Sequence, residues 1–162
     1  MRRPLPRPAG LLALALLAGC AGTPERPDTV RQALFNLGER AAERVMAASA
    51  LPRPVGDQVL LLARPEVNAE LGIDQERLHE SLVRALLAVG DGPQVLDWGD
   101  DISEGGDNLW RLESRLLADG PRLSLSDREL LPYRLTLTLR RPGEAAASWE
   151  ESLQGALDAT AL

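Results

Sequence analysis

Apolar residues recur along this chain at two spacings, and the two spacings separate helices from strands. An apolar position every three or four residues, the period of one helix face, runs from a cap at Asp28 or Thr29 to about Ala50. A second run of this kind follows a cap at Asp74 and stops at Gly90. The two apolar faces consist of Val30, Ala33, Leu34, Leu37, Ala41, Val45 and Met46, and of Leu78, Leu82, Val83, Leu86 and Leu87. The pattern predicts two amphipathic helices.

Two short apolar runs on either side of the second helix have the length and composition of strands. Gln58 to Ala63 is apolar after its first residue, as expected for a strand that is buried on both faces. Gln94 to Trp98 has the β-branched and aromatic content of a further strand. If these strands lie parallel in one sheet, they form a strand-helix-strand crossover unit with the helix between them.

The second half of the chain changes to alternation, the pattern of half-buried strands. Leu109 to Ala118 alternates, and Tyr133 to Arg140 alternates most cleanly, with apolar residues on one side and Arg or Thr on the other. The loop between them has room for a short extra strand at Leu123 to Leu125. A turn at Arg141 to Glu144 leads to a last strand, predicted from Ala145 to Leu153.

The predicted fold class is α+β, in two layers. A mixed sheet contains the strand-helix-strand unit and a C-terminal antiparallel meander, and an N-terminal helix precedes them. We expect one domain over residues 28–155, a common size for a single core, followed by a frayed tail at residues 156–162.

The first residues have the composition of a secretory signal. Arg2, Arg3 and Arg7 precede an apolar segment from Ala9 to Gly19. The segment is too short for a transmembrane helix, which needs about 20 apolar residues. It ends in Leu17-Ala18-Gly19-Cys20, which resembles the lipobox of bacterial lipoproteins.

The lipobox resemblance implies cleavage after Gly19, with residues 1–19 as the signal peptide and residues 20–27 as a lipidated tether. It also implies a diacylglycerol thioether on the Cys20 sulfur and an acyl chain such as palmitate on its amine, enough to hold a protein stably on a bilayer. Asp after the cysteine favours the inner membrane, but here the residue is Ala21, which points to the periplasmic face of the outer membrane. The alternative is an ordinary buried helix in which the motif arises by chance.

Charge and cysteine content narrow the possible partners. The chain has 18 basic residues, all arginine, and 24 acidic ones, for a net charge of −6. Without the three arginines of the signal, 15 basic residues remain against 24 acidic ones, or −9, which argues against nucleic acid or an anionic lipid surface as the main partner. Because Cys20 is the only cysteine, the chain forms no internal disulfide and no cysteine metal site.

The residue patterns predict neither an enzyme nor a cofactor site. His79, the only histidine, is expected to be a half-exposed surface residue, and one histidine without a motif serine makes no catalytic triad. The one ligand-like cluster lies in and before an acidic loop and comprises Asp97, Asp100, Asp101, Glu104 and Asp107. Its spacing does not match a calcium loop, so we expect a solvated turn, with divalent-metal binding as the alternative.

Five segments resemble a known family in their order and residues. They are Val59-Leu60-Leu61, the helix from Asp74 to Val89, Val95-Leu96-Asp97, the strand from Tyr133 to Leu139, and Trp149. Together, over roughly residues 28–155, they resemble the LpoB-type lipoprotein activators of penicillin-binding proteins, whose domain is similar to the N-terminal domain of TolB.

The resemblance implies a non-catalytic outer-membrane lipoprotein that binds, and in the family activates, a peptidoglycan synthase in the periplasm. Its role would be in peptidoglycan synthesis and cell shape, with a protein partner and no small-molecule substrate. The alternative is a structural lipoprotein of an outer-membrane or envelope assembly without contact to a synthase.

The predicted tether is short for a protein that reaches a synthase in the inner membrane. Ala21 to Asp28 spans at most about 30 Å when fully extended. We therefore expect the folded domain to lie close to the outer membrane. If the first helix unfolds, the segment from Ala21 to Gly56 reaches roughly 120 Å.

Overall fold

A computed structural model describes residues 29–99 and 106–159 as two α-helices and seven strands, with two short 3₁₀-helices at Val55–Asp57 and Ala69–Leu71. The α-helices are α1 (Thr29–Ala47) and α2 (Gln75–Leu87). The strands are β1 (Val59–Leu62), β2 (Glu66–Val67), β3 (Gln94–Asp97), β4 (Leu109–Ala118), β5 (Leu123–Ser124), β6 (Glu129–Arg140) and β7 (Trp149–Asp158). Asp74 caps α2 as predicted, because its carboxylate accepts a hydrogen bond from the backbone N–H of Arg77 at 3.0 Å.

The seven strands join one sheet of mixed direction. Five of them lie in the order β3-β1-β4-β6-β5, while β2 pairs with β4 and β7 pairs with β6. β1 is parallel to both β3 and β4, whereas β6 is antiparallel to β4 and to β7. The sheet therefore contains the predicted parallel unit and the predicted meander, and the α+β fold class is confirmed.

Both helices pack on one face of the sheet, which we call the inner face. Their apolar residues form a single buried cluster with alternate residues of β4 and β6. The strand members of this cluster include Trp110, Leu112, Leu116, Tyr133, Leu135, Leu137 and Leu139. The prediction that β1 is buried on both faces is confirmed, since Leu60, Leu61 and Leu62 are each no more than 2% exposed.

The two helices form the second layer of the domain and lie close together. The Ser81 hydroxyl of α2 donates a hydrogen bond to the backbone oxygen of Leu34 in α1, at 2.6 Å. Gly38, one turn further along α1, lies against the same serine. Neither described α-helix combines the length and the apolar composition that crossing a membrane requires.

Strand β4 has the bounds that the alternation predicted, but the last strand does not. β7 spans Trp149–Asp158, whereas the sequence predicted a strand from Ala145 to Leu153. The reason lies in β6, which begins at Glu129 rather than at Tyr133 and so offers backbone partners to residues 156–158. The prediction of a frayed tail from residue 156 is therefore wrong as far as Asp158, and residues 160–162 lie outside the described residues.

Candidate functional site

The face of the sheet opposite the helices, which we call the outer face, has no described helix packed on it. It consists of the strand residues whose neighbours along the chain point into the core. At its centre lie Leu61 of β1, Arg111 and Glu113 of β4, and Thr138 and Arg140 of β6. An uncovered sheet face with charged side chains at its centre is the main candidate for a binding surface in the described parts of the chain.

Two arginines share one glutamate at the centre of this face. Arg111 and Arg140 are partners in the register of β4 and β6. The Glu113 carboxylate forms ion pairs with Arg111 Nη2 at 2.9 Å and with Arg140 Nη2 at 2.8 Å, using a different oxygen for each. Like charges directly across a pair of strands are unfavourable, so Glu113 is what allows the two guanidinium groups to lie side by side.

Trp98 also contacts Arg111, the first of these two arginines. It directly follows β3, and the centre of its ring lies 4.4 Å from the Arg111 guanidinium carbon, within the range of a cation–π contact. Leu61 is the register partner of both Leu96 and Arg111 and is buried, while Leu96 itself is 54% exposed at the edge of the sheet. We refer to Trp98, Arg111, Glu113 and Arg140 as the arginine–tryptophan cluster.

Beside the arginine–tryptophan cluster the outer face forms an open depression of about 220 Å³. The charged side chains that line it are Arg64, Glu66, Arg111, Glu113, Arg115, Arg140 and Glu150. Four arginines against three glutamates give this depression a charge of +1 on a chain whose net charge is −6. The outer face is therefore suited to a ligand surface with acidic groups.

Glu66 and Arg115 form a charged pair at the rim of this depression. Arg115 Nε donates to Glu66 Oε2 at 2.6 Å, which joins the two-residue strand β2 to β4. This hydrogen bond, with the charge of the guanidinium, holds the pKa of Glu66 below its ordinary value and raises the pKa of Arg115. Both side chains are more than half exposed, so the pair contributes little to stability.

The cluster includes buried groups that are not fully hydrogen-bonded. The Nε atoms of Arg111 and Arg140 are inaccessible to solvent and have no hydrogen-bond partner among the described residues. Such groups are uncommon in folded proteins and are costly to bury. Stability alone therefore does not account for placing two arginines here.

The predicted lipobox residues Leu17, Ala18, Gly19 and Cys20 lie outside the described residues, and lipidation at Cys20 stays a prediction. Three members of the predicted acidic cluster, Asp100, Asp101 and Glu104, also lie outside them. Within residues 29–99 and 106–159, no three His, Cys, Asp or Glu side chains come together as metal ligands would. Divalent-metal binding at the loop thus stays an untested alternative.

The expectation that His79 is a half-exposed surface residue is wrong. The residue is only 8% exposed, and its Nε2 atom lies 2.8 Å from Asp97 Oδ1 at the end of β3. The physical reason is that α2 packs against β3, so the position after Leu78 faces the strand rather than solvent. The Nδ1 atom is buried without a hydrogen-bond partner among the described residues, and the Asp97 carboxylate is 80% exposed.

The alternation of β6 predicted that its polar residues Arg134, Thr136, Thr138 and Arg140 lie on the face opposite its apolar residues. The structure confirms this, because Tyr133, Leu135, Leu137 and Leu139 join the buried core and the four polar residues do not. The alternation did not connect Arg140 with Arg111 and Glu113, because the register between β4 and β6 is not visible in either strand alone. The alternating acidic and basic residues of β4 were the available signal for this cluster.

No family model matches the chain, and no curated protein matches it significantly. Solved structures match it in part. A Xanthomonas campestris protein of the family DUF330 is 13% identical, with a TM-score of 0.45 over 66% of this chain and 72% of that one. The lipoprotein GNA1162 from Neisseria meningitidis is 8% identical, with a TM-score of 0.43 over 64% of this chain and 85% of that one. At identities and TM-scores this low, the likenesses assign no function to this chain.

Proposed function

We propose that this chain is a non-catalytic lipoprotein of the outer membrane, anchored on the periplasmic face through Cys20, that binds a protein partner with the outer face of its sheet. The lipobox-like residues Leu17 to Cys20 support the anchor. Because the lipid would occupy the only cysteine, the domain has no disulfide and its stability comes from side-chain packing.

The observation that carries the binding role is the arginine–tryptophan cluster on an uncovered face. Trp and Arg are the side chains most often found at the energetic centres of protein interfaces. Arg111 is held in place by both Trp98 and Glu113, so little conformational entropy is lost when a partner contacts it. A partner with acidic groups opposite the depression would complete the charge balance of this face.

The partner that we propose is a peptidoglycan synthase of the penicillin-binding protein class. Support for this finer assignment is the resemblance of the chain to LpoB-type activators over roughly residues 28–155. The tether from Ala21 to Asp28, at most about 30 Å long, sets the condition that the synthase must extend towards the outer membrane.

Reconstitution with a synthase of the same organism tests both the partner and the surface. The lipidated protein should bind the synthase and raise its polymerisation rate. Leu96→Glu should weaken binding because it places a negative charge beside Trp98, where it repels the acidic groups of the partner. Leu87→Glu is the matched control, since Leu87 is 62% exposed on α2, away from the outer face. Equal binding by the two variants would exclude the outer face. No binding by the unaltered protein would exclude the synthase.

The short tether favours a second candidate function, a structural lipoprotein within an outer-membrane assembly. In that case the outer face would bind another outer-membrane component. Affinity purification of the lipidated protein after crosslinking in cells separates the two functions, because the synthase and an outer-membrane protein differ in the membrane with which they fractionate.

A further inference from the structure

Helix α1 runs beside strand β6 in the same direction, and this fixes which end of the domain meets the tether. Arg40 donates a hydrogen bond from Nη2 to the Tyr133 hydroxyl. Further along both elements, Arg44 forms an ion pair at 3.0 Å with Glu151, the register partner of Leu137. As the residue number rises along α1, it therefore rises along β6.

The start of α1 is consequently level with the start of β6. From Thr29 to Arg40 an α-helix rises about 16 Å. From Tyr133 back to Glu129 a strand covers about 13 Å. The β5–β6 hairpin, which begins β6, thus lies at the end of the domain where the segment preceding α1 enters.

This hairpin carries exposed leucines. Leu123 and Leu125 are 47% and 53% exposed, and Leu117, where β4 reaches the same end, is 40% exposed. Within residues 31–99 and 106–159, six large apolar side chains are exposed, and three of them lie at this one end. The backbone N–H of Leu125 donates to the oxygen of Arg128 at 2.8 Å, so the turn that presents it is closed by a hydrogen bond.

The charges of the hairpin cancel. Arg128 pairs with Asp127 at 2.7 Å, and Arg122 pairs with Glu129 at 3.5 Å. A hairpin that carries exposed leucines and paired charges of zero sum is suited to the interfacial region of a lipid bilayer, and it needs neither anionic lipid nor low salt to bind there.

We propose that the β5–β6 hairpin lies on the lipid bilayer that holds Cys20, with Leu123 and Leu125 in its interfacial region. The proposal rests on the proposed lipid anchor. The chain between Cys20 and Thr29 is too short to carry this end of the domain more than about 35 Å from the anchored residue. Anchor and hairpin therefore act together. By register Leu117 and Leu123 belong to the outer face, but the arginine–tryptophan cluster lies at the other end of β6, where Arg111 pairs with Arg140, and stays free.

Two partly exposed leucines do not hold a protein on a membrane by themselves, since even one acyl chain gives only marginal binding. The anchor makes the hairpin contact intramolecular and so raises its effective concentration. The hairpin contact consequently orients the domain on the membrane, while the lipid anchor is what attaches it there.

The test uses the lipidated full chain in vesicles of phosphatidylcholine and phosphatidylethanolamine. Leu125→Cys is labelled with the environment-sensitive dye NBD, which reacts only with the new thiol because the Cys20 sulfur is in a thioether. We expect blue-shifted emission and strong quenching by brominated lipids. The control is Glu144→Cys, in the turn after β6 at the opposite end of the domain, where the dye should remain in water.

The possible outcomes separate this inference from the anchor on which it rests. If the labelled chain sediments with vesicles but the dye at 125 is as accessible to iodide as the dye at 144, the hairpin does not touch lipid. A dye at 125 that is shielded from iodide and yet not quenched by brominated lipid indicates a second copy of the chain instead. A chain that stays in the supernatant with a reactive Cys20 rules out the anchor, and the hairpin contact with it.

A pair of variants checks the role of the leucines. With the dye at Ser126→Cys, the double change Leu123→Ser and Leu125→Ser should reduce lipid quenching roughly tenfold while sedimentation is unchanged, because two half-exposed leucines no longer leave water. Leu87→Ser, at the C-terminal end of α2, is the control and should leave quenching unchanged. Equal quenching of the dye at position 126 in the double variant and in the Leu87→Ser control would overturn the proposal.

Discussion

The ring of Tyr133 on β6 lies over the backbone of Gly155 on β7. The two are partners in the strand register. A Cβ atom on residue 155 would lie 2.5 Å from the Tyr133 hydroxyl oxygen and 2.7 Å from its Cζ, distances that real side chains do not show. Position 155 therefore accepts only glycine as long as the ring lies there.

We expect Gly155→Ala to lower the free energy of unfolding by about 1–3 kcal/mol, the usual cost of overpacking a tight core. Urea denaturation measures this change. Gly90→Ala is the matched control, because a Cβ there meets no atom within 4 Å, and it should shift stability by less than about 0.5 kcal/mol. In a double-mutant cycle with Tyr133→Leu, most of the cost should disappear. Equal costs with and without the tyrosine ring would contradict the steric explanation.

A second close contact joins the two helices. A Cβ atom on Gly38 would lie 2.7 Å from the backbone oxygen of Ser81. Alanine favours a helix over glycine by about 1 kcal/mol, but a clash with backbone costs about 1–3 kcal/mol. Gly38→Ala should therefore destabilise the protein by about 1 kcal/mol in urea denaturation. A stabilised variant, as expected for an exposed helix glycine, would show that α1 and α2 do not approach here.

Glu113 should matter more than an ordinary surface glutamate because it separates two arginines. We expect Glu113→Gln to cost about 1–2 kcal/mol, more than the loss of one exposed ion pair, because two partly buried ion pairs are lost together. Added salt should reduce this cost, since it screens the repulsion between Arg111 and Arg140. Glu76→Gln is the control. Its pair with Arg64 is 3.3 Å long and mostly exposed, so its loss should cost less than about 0.5 kcal/mol.

The Glu66–Arg115 pair predicts a local response to acid. Because the pKa of Glu66 is held below the ordinary value of 4.5, its contribution to stability is present above pH 4.5 and is lost as the pH falls through the lowered pKa. Carboxyl chemical shifts in an NMR titration measure this pKa directly. Arg115→Ala should raise the pKa of Glu66 towards its ordinary value, whereas Arg122→Ala should leave it unchanged. If the pKa of Glu66 is the same with and without the Arg115 side chain, the two residues do not pair in solution.

The spacing of apolar residues determined most of the secondary structure. The period of three to four residues located α1 and α2, and alternation located β4 at both ends and most of β6. These elements are local, because each presents one apolar face whose period follows from its own backbone geometry. The order of these locally determined helices and strands along the chain was enough to predict a mixed sheet and an α+β fold.

What pattern could not determine depends on contacts between distant segments. The length of β7 follows from the length of β6, and the burial of His79 follows from the packing of α2 on β3. Arg111, Glu113 and Arg140 come together because of the register between β4 and β6. That register cannot be inferred from the residue pattern of either strand alone. The lipobox-like motif that ends at Cys20 is the opposite case, since such a motif can be recognised in the sequence alone. Thus the sequence by itself supplied the elements and the predicted anchor, and only the tertiary structure decided which side chains share the outer face and which end of the domain meets the tether.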